Sequence, residues 1–113
     1  MDAQIREEVA LLHSRFCAGL ADQSRMLIVY ELSEGPRNVS ELVERLSMAQ
    51  PVVSRHLKIL RDCGIVTAER DGRSVYYQLS DERVVTALNI LRSIIADQLY
   101  AQAELAQMAQ LEF

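Results

Sequence analysis

Apolar residues recur at steps of three and four through the first twenty positions. Ile5, Val9, Leu12, Phe16 and Leu20 mark one face of a helix over about 4–20. Asp22 is placed to cap a second helix over Gln23–Leu32, which Gly35 and Pro36 close. Asn38 caps a third, with Glu41 three places on forming a capping box and Val39, Leu42, Val43 and Leu46 facing inward. Ser47, Met48 and Ala49 make a turn. A fourth helix follows over 50–63, with Val53, Leu57 and Leu60 spaced for the core. Pro51 suits its first turn, where a missing N–H loses no partner, and Gly64 can end it in a left-handed conformation. Two strands, 65–70 and 73–79, are joined by Asp71-Gly72, a strong short-hairpin signal. Ser80-Asp81 opens a last helix reaching about 110, with Val84, Leu88, Leu91, Ile95 and Leu99 on one stripe. The chain reads as one domain, 1–113, without linkers, repeats or low-complexity stretches.

Helix, tight turn, helix and hairpin over 38–79 is the plan of a winged helix-turn-helix. The predicted class is mainly α with a two-stranded β wing and about five helices. In that plan one helix enters the DNA major groove and the hairpin touches the flanking backbone. Double-stranded DNA is the expected partner. The stripes of the first helix (4–20) and the last (81–110), broadened by Leu11, Ile90 and Ile94, hold more apolar surface than so small a reading domain covers. They predict a homodimer interface, and a two-fold dimer predicts an inverted-repeat operator with half-sites roughly one turn apart.

Net charge of −4 looks wrong for DNA binding until it is divided along the chain. Residues 1–36 carry three arginines against six acids, and 79–113 carry two against five, −3 in each case. Residues 37–78 carry seven basic side chains against five acids, +2, so positive charge sits where the motif sits. An acidic total limits indiscriminate binding and favours a site-selective protein. The 113 residues suffice for one core and leave no room for a catalytic domain beside it. No membrane span or signal-peptide pattern is seen, and two cysteines 46 positions apart suggest free thiols in a reducing cytoplasm. No Gly-rich phosphate loop, no nucleophile beside a base and no paired carboxylates point to an enzyme, and no cofactor is implied.

On the fourth helix, Gln50, Ser54, Arg55, Lys58 and Arg61 fall opposite the core positions. Gln pairs with adenine edges and Arg with guanine edges in two-bond geometry, while Ser54 and Lys58 suit phosphate or a single base contact. His56 lies beside the apolar stripe and is expected to pack or to touch a phosphate. Arg70 and Arg73 flank the hairpin tip, where they suit phosphates or a narrow minor groove. Strand alternation puts Val75, Tyr77 and Leu79 on one face and Tyr76 on the other, which adds Tyr76 to the candidate contacts. The alternative function is a winged-helix protein-interaction module without specific DNA binding.

The segments LADQSRMLIVYEL, VSELVERL, SRHLKILRDCGIV and DGRSVYYQL together resemble the ArsR/SmtB family of bacterial transcriptional repressors. The resemblance covers roughly 15–100 and is strongest at Ser54-Arg55-His56-Leu57, Leu60, Gly64 and the Asp-Gly-Arg wing. It implies a dimeric winged-helix repressor that leaves its operator when a metal, metalloid or thiol-reactive species binds. The sensor sites usual in that family are incomplete here. No Cys stands at Val39 to Glu44, where the arsenic type has its pair. Asp81, Arg83, Ile94 and Asp97 stand where the zinc type has two carboxylates and two histidines. Cys63 matches one cysteine of the cadmium/lead type, with Ile59 at the other. No metal site is therefore assigned. Cys17 and Cys63 remain as candidates for thiol or inducer sensing, with His13 one turn before Cys17 as a further soft-metal ligand; the alternative is that both cysteines only pack. Whether an inducer exists, and whether the protein represses or activates, the residues leave open.

Overall fold

The computed structural model describes residues 1–111; Glu112 and Phe113, the end of the predicted 1–113 domain, lie outside the described residues. Contacts divide the chain into two units, Met1–Glu82 and Arg83–Phe113. In the first, helix α1 runs without a break through Ala3–Leu11, Leu12–Cys17 and Ala18–Leu20. Then come α2 (Gln23–Leu32), α3 (Val39–Leu46), α4 (Gln50–Asp62) and the antiparallel pair β1 (Val66–Asp71) and β2 (Ser74–Leu79). The second unit is one long helix, α5 (Arg83–Leu111).

The predicted caps are the ones that form. Asp22 accepts from the Arg25 backbone N–H at 3.2 Å and starts α2. At α3, Asn38 Oδ1 accepts from the Glu41 N–H at 2.9 Å and Glu41 Oε1 accepts from the Asn38 N–H at 3.1 Å, a complete capping box. Gly64, at φ 78°, closes α4 with paired bonds from Ile65 N–H to the Leu60 carbonyl (2.9 Å) and from Gly64 N–H to the Arg61 carbonyl (3.0 Å). That is a Schellman ending, and it sets buried Ile65 beside buried Leu60.

The core of the first unit gathers Ile28, Val29 and Leu32 from α2, Leu42 from α3, Val53, Leu57 and Leu60 from α4, and Ile65 and Val66 at the start of the wing. Each such side chain contributes about 1.5–3 kcal/mol on burial. Arg37 adds a short backbone bridge to the free edge of β2, donating to the Tyr77 carbonyl at 3.0 Å and accepting from the Tyr77 N–H at 2.8 Å.

Two details differ from the sequence reading. Unbroken α-helical spacing predicts an ordinary first helix, but Leu12–Cys17 widens into a π-helical turn, the segment that carries His13 and Cys17. The hairpin loop is Gly72-Arg73 rather than Asp71-Gly72, because Asp71 still pairs with Ser74. Positive φ at Gly72 (63°) and a negative one at Arg73 give the sign pattern of a type II′ turn.

Along the apolar stripe of α1, Ile5, Val9, Leu12 and Phe16 are exposed, keeping 37–52% of their surface. On α5, Ile90, Leu91, Ile94, Ile95 and Leu99 are exposed as well, while Leu88 is buried. No described helix is long and apolar enough to cross a membrane.

Candidate nucleic-acid interface

Helix α4 presents two chemically opposite faces. Val53, Leu57 and Leu60 are fully buried, whereas Gln50, Arg55, Lys58 and Arg61 are exposed and Ser54 is half-buried on the other side. Gln50 Nε2 donates to Ser54 Oγ at 3.1 Å, which draws the first polar turn together. Lys58 Nζ lies 3.1 Å from Asp62 Oδ2, an exposed pair one turn apart. Asp62 is the carboxylate that sequence reasoning missed; a Lys and an Asp four apart on one helix were the available signal. The turn before α4 is tight: Ser47 sits at φ 53°, left-handed, and ends α3.

His56 does not belong to the exposed face. Its side chain is buried, with 7% of the residue's surface left open. Arg25 Nη1 donates to His56 Nδ1 at 3.3 Å, and His56 Nε2 faces Asp22 Oδ1 at 4.0 Å. An arginine can only donate, so Nδ1 is unprotonated and the ring proton sits on Nε2, towards Asp22. With the residue buried and Nδ1 engaged by Arg25, His56 takes the packing role of the two expected of it. Arg25 also donates through Nε to the Gly19 carbonyl at 2.6 Å and through Nη2 to the Ala18 carbonyl at 3.4 Å. Asp22's carboxyl is held below its ordinary value chiefly by the backbone N–H of Arg25, against a smaller opposing effect of desolvation. Arg25 was invisible to a periodicity argument, since its partners lie six and thirty-one residues away.

At the wing, Arg70 and Arg73 are both exposed, Arg73 within the loop itself. Tyr76 is half-buried and pairs across the ladder with Glu69. It helps line a shallow depression of about 420 Å³ with Pro36, Glu69, Arg70, Asp71 and Gln78. Two carboxylates and one guanidinium thus surround Tyr76, which strand alternation turns away from Val75 and Tyr77.

The sensing candidates are not brought together. Cys17 and His13 are exposed on α1, and Cys63 is half-buried at the end of α4. Gly19 packs where a Cβ would stand 3.3 Å from Cys63 Sγ and 2.5 Å from Ile65 Cδ1. Residues two apart on a helix do not share a face, so Cys17 is turned away from Cys63 within this chain. Among the described residues no three His, Cys, Asp or Glu side chains cluster as metal ligands.

A family model described as bacterial regulatory protein, arsR family, matches residues 22–68. A probable mercury resistance operon repressor of Streptomyces lividans is 39% identical over 74% of this chain and 67% of its own. The arsenical resistance operon repressor of Bacillus subtilis is 41% identical over 74% of this chain and 80% of its own. The transcriptional repressor SmtB of Mycobacterium tuberculosis is 51% identical over 58% of this chain, which spans about half (48%) of that protein. Among solved structures, the transcriptional repressor BigR of Xylella fastidiosa superposes with a TM-score of 0.70 at 29% identity, over 83% of this chain and 96% of that one. A homodimeric winged helix-turn-helix domain from Mycobacterium bovis superposes with a TM-score of 0.74 at 23% identity, over 88% and 91%, a likeness of fold.

Proposed function

The chain belongs to the arsR family of bacterial regulatory proteins, and from that premise we propose that it is a transcriptional repressor that binds its operator as a homodimer. The observation that carries the reading is the exposed row of Gln50, Arg55, Lys58 and Arg61 on α4, backed by the fully buried Val53, Leu57 and Leu60. Such a helix lies in the major groove with Arg55 on a guanine edge, Gln50 on an adenine edge, and Ser54, Lys58 and Arg61 on phosphates or a single base edge. Arg70 and Arg73 of the wing hold the flanking backbone. The uncovered apolar positions of α1 and of α5 are the surfaces a second copy covers, and the two-fold pair reads an inverted repeat.

The proposed inducer class is a soft, thiol-seeking species, supported by relatives named for mercury and arsenical resistance operons and by two free thiols. Cys17 and His13 are the accessible candidates and Cys63 the shielded one. Within one chain they form no complete ligand set, so a metal-type inducer requires donors from both copies.

The test is Arg55→Ala, with binding followed by fluorescence anisotropy on operator DNA. The variant is expected to lose about 1–3 kcal/mol at the preferred site and to relax base preference at one position. Binding equal to the parent's on every duplex would remove Arg55 from the reading face.

A further inference from the structure

Two helices that touch only through apolar side chains can rotate against each other at little cost, because dispersion and burial are not directional. On its buried side helix α4 carries a directional attachment midway along its length, the ring of His56. We propose that Arg25 is a positioning residue for DNA reading: its guanidinium ties the last carbonyls of α1 to His56 and so sets the rotation of α4's basic face. The proposal rests on the repressor reading above and deepens it.

The geometry is specific. A guanidinium is a rigid planar fork, so partners on its different nitrogens are fixed relative to one another. Here Nε and Nη2 hold the Gly19 and Ala18 carbonyls at the end of α1, and Nη1 holds His56. The backbone N–H of the same residue is bound to Asp22, which lies across from the other nitrogen of the ring. His56 directly follows Arg55, so locking one inside locks the other outside. At the roughly 6 Å outer radius of a helix, a rotation of 10° moves an outer atom by about 1 Å. Two-bond readout of a base tolerates only a few tenths of an ångström. A loosened clamp therefore weakens base reading while leaving the charge that attracts phosphates in place. Because the clamp ends on Ala18 and Gly19, one and two residues after Cys17, whatever displaces the end of α1 is carried to the reading face.

The experiment measures Kd for operator and for scrambled DNA, across a salt series and well below the melting temperature, for the parent, Arg25→Lys, His56→Leu and His56→Asn. Lysine cannot fork and leucine cannot accept, so both are expected to lose about tenfold on the operator, equal to one good base contact, with scrambled-DNA affinity and salt slope unchanged. Asn offers an acceptor near the position of Nδ1 and should restore binding to within about threefold of the parent. A purely structural role would lower the active fraction on both duplexes alike and leave their ratio alone; an unchanged ratio in Arg25→Lys and His56→Leu overturns the proposal. Should both unfold, nitrogen NMR of the operator-bound parent decides, since the clamp requires an unprotonated Nδ1 on His56 and a protonated one contradicts it. A parent that fails to prefer the operator refutes the repressor reading itself and the clamp with it.

Discussion

Replacing Asp62 by Asn should strengthen DNA binding, an outcome opposite to that of most changes on a reading helix. Among the described residues Asp62 is the carboxylate paired with a proposed contact on α4, 3.1 Å from Lys58 Nζ, with 65% of its side chain exposed and 78% of the lysine's. So exposed a pair contributes only about 0.3–0.5 kcal/mol to folding. Asp62 is also the last residue of α4, where the helix dipole disfavours negative charge by about 0.3–1 kcal/mol, so stability should hardly change. On DNA two effects add. Lys58 no longer has to leave a partner to reach phosphate, and a carboxylate stops repelling the backbone, which at a separation of one Debye length (about 8 Å) is worth about 0.2–0.5 kcal/mol. Together they come to about 0.5–1 kcal/mol, a roughly two- to fivefold tighter Kd at physiological salt. The gain should fade as salt rises. Anisotropy titrations on operator and scrambled duplexes check it, with urea denaturation confirming equal stability. In a Lys58→Ala background the same change should gain less, which a double-mutant cycle measures. Weaker or unchanged binding by a stable Asp62→Asn would show that this end of α4 does not approach the backbone.

Three further outcomes are expected. Arg73→Ala should weaken binding on all duplexes and flatten the salt slope by about one unit, read from titrations across salt; an unchanged slope would take the wing loop off the backbone. Gly19→Ala should destabilise by about 1–2 kcal/mol because the new methyl meets Ile65 and Cys63. Ile65→Val, costing about 1 kcal/mol alone, should cost less in the Gly19→Ala background; additive urea midpoints at fixed protein concentration would refute the contact. Asp22's carboxyl is depressed in the folded protein, so the stability it contributes is present above about pH 4 and is lost as pH falls through the lower folded value. Asp22→Asn, which can still cap α2, should therefore show a flatter acid limb in urea midpoints taken across pH; an unaltered limb contradicts this.

The helix-turn-helix was legible because its signals are local. Asp22, Asn38 with Glu41, Pro51 and Gly64 each act on backbone groups within a few residues, and each stands where the pattern placed it. The wing was legible to within one residue. An Asp-Gly pair suggests both belong to the turn, yet the pairing of Asp71 with Ser74 hands the second loop position to Arg73. The π turn at Leu12–Cys17 has no counterpart in the spacing of apolar residues, which reads equally well as α. His56 sits at the edge of the apolar stripe, and only the approach of Arg25 from thirty-one residues away decides that it points inward. The stripes on α1 and α5 were visible as stripes, but a pattern of apolar positions is the same whether its own chain or a second copy covers it.

Selective recognition of an operator by a dimer is measured by fluorescence anisotropy of the reduced protein on DNA from upstream of its own gene, against a scrambled duplex at the same salt, with stoichiometry taken at saturation. Binding to the upstream duplex should be at least about a thousandfold tighter than to the scrambled one, with two protomers per inverted repeat. Equal affinity for the two duplexes would contradict it and point instead to a winged helix that docks on another protein.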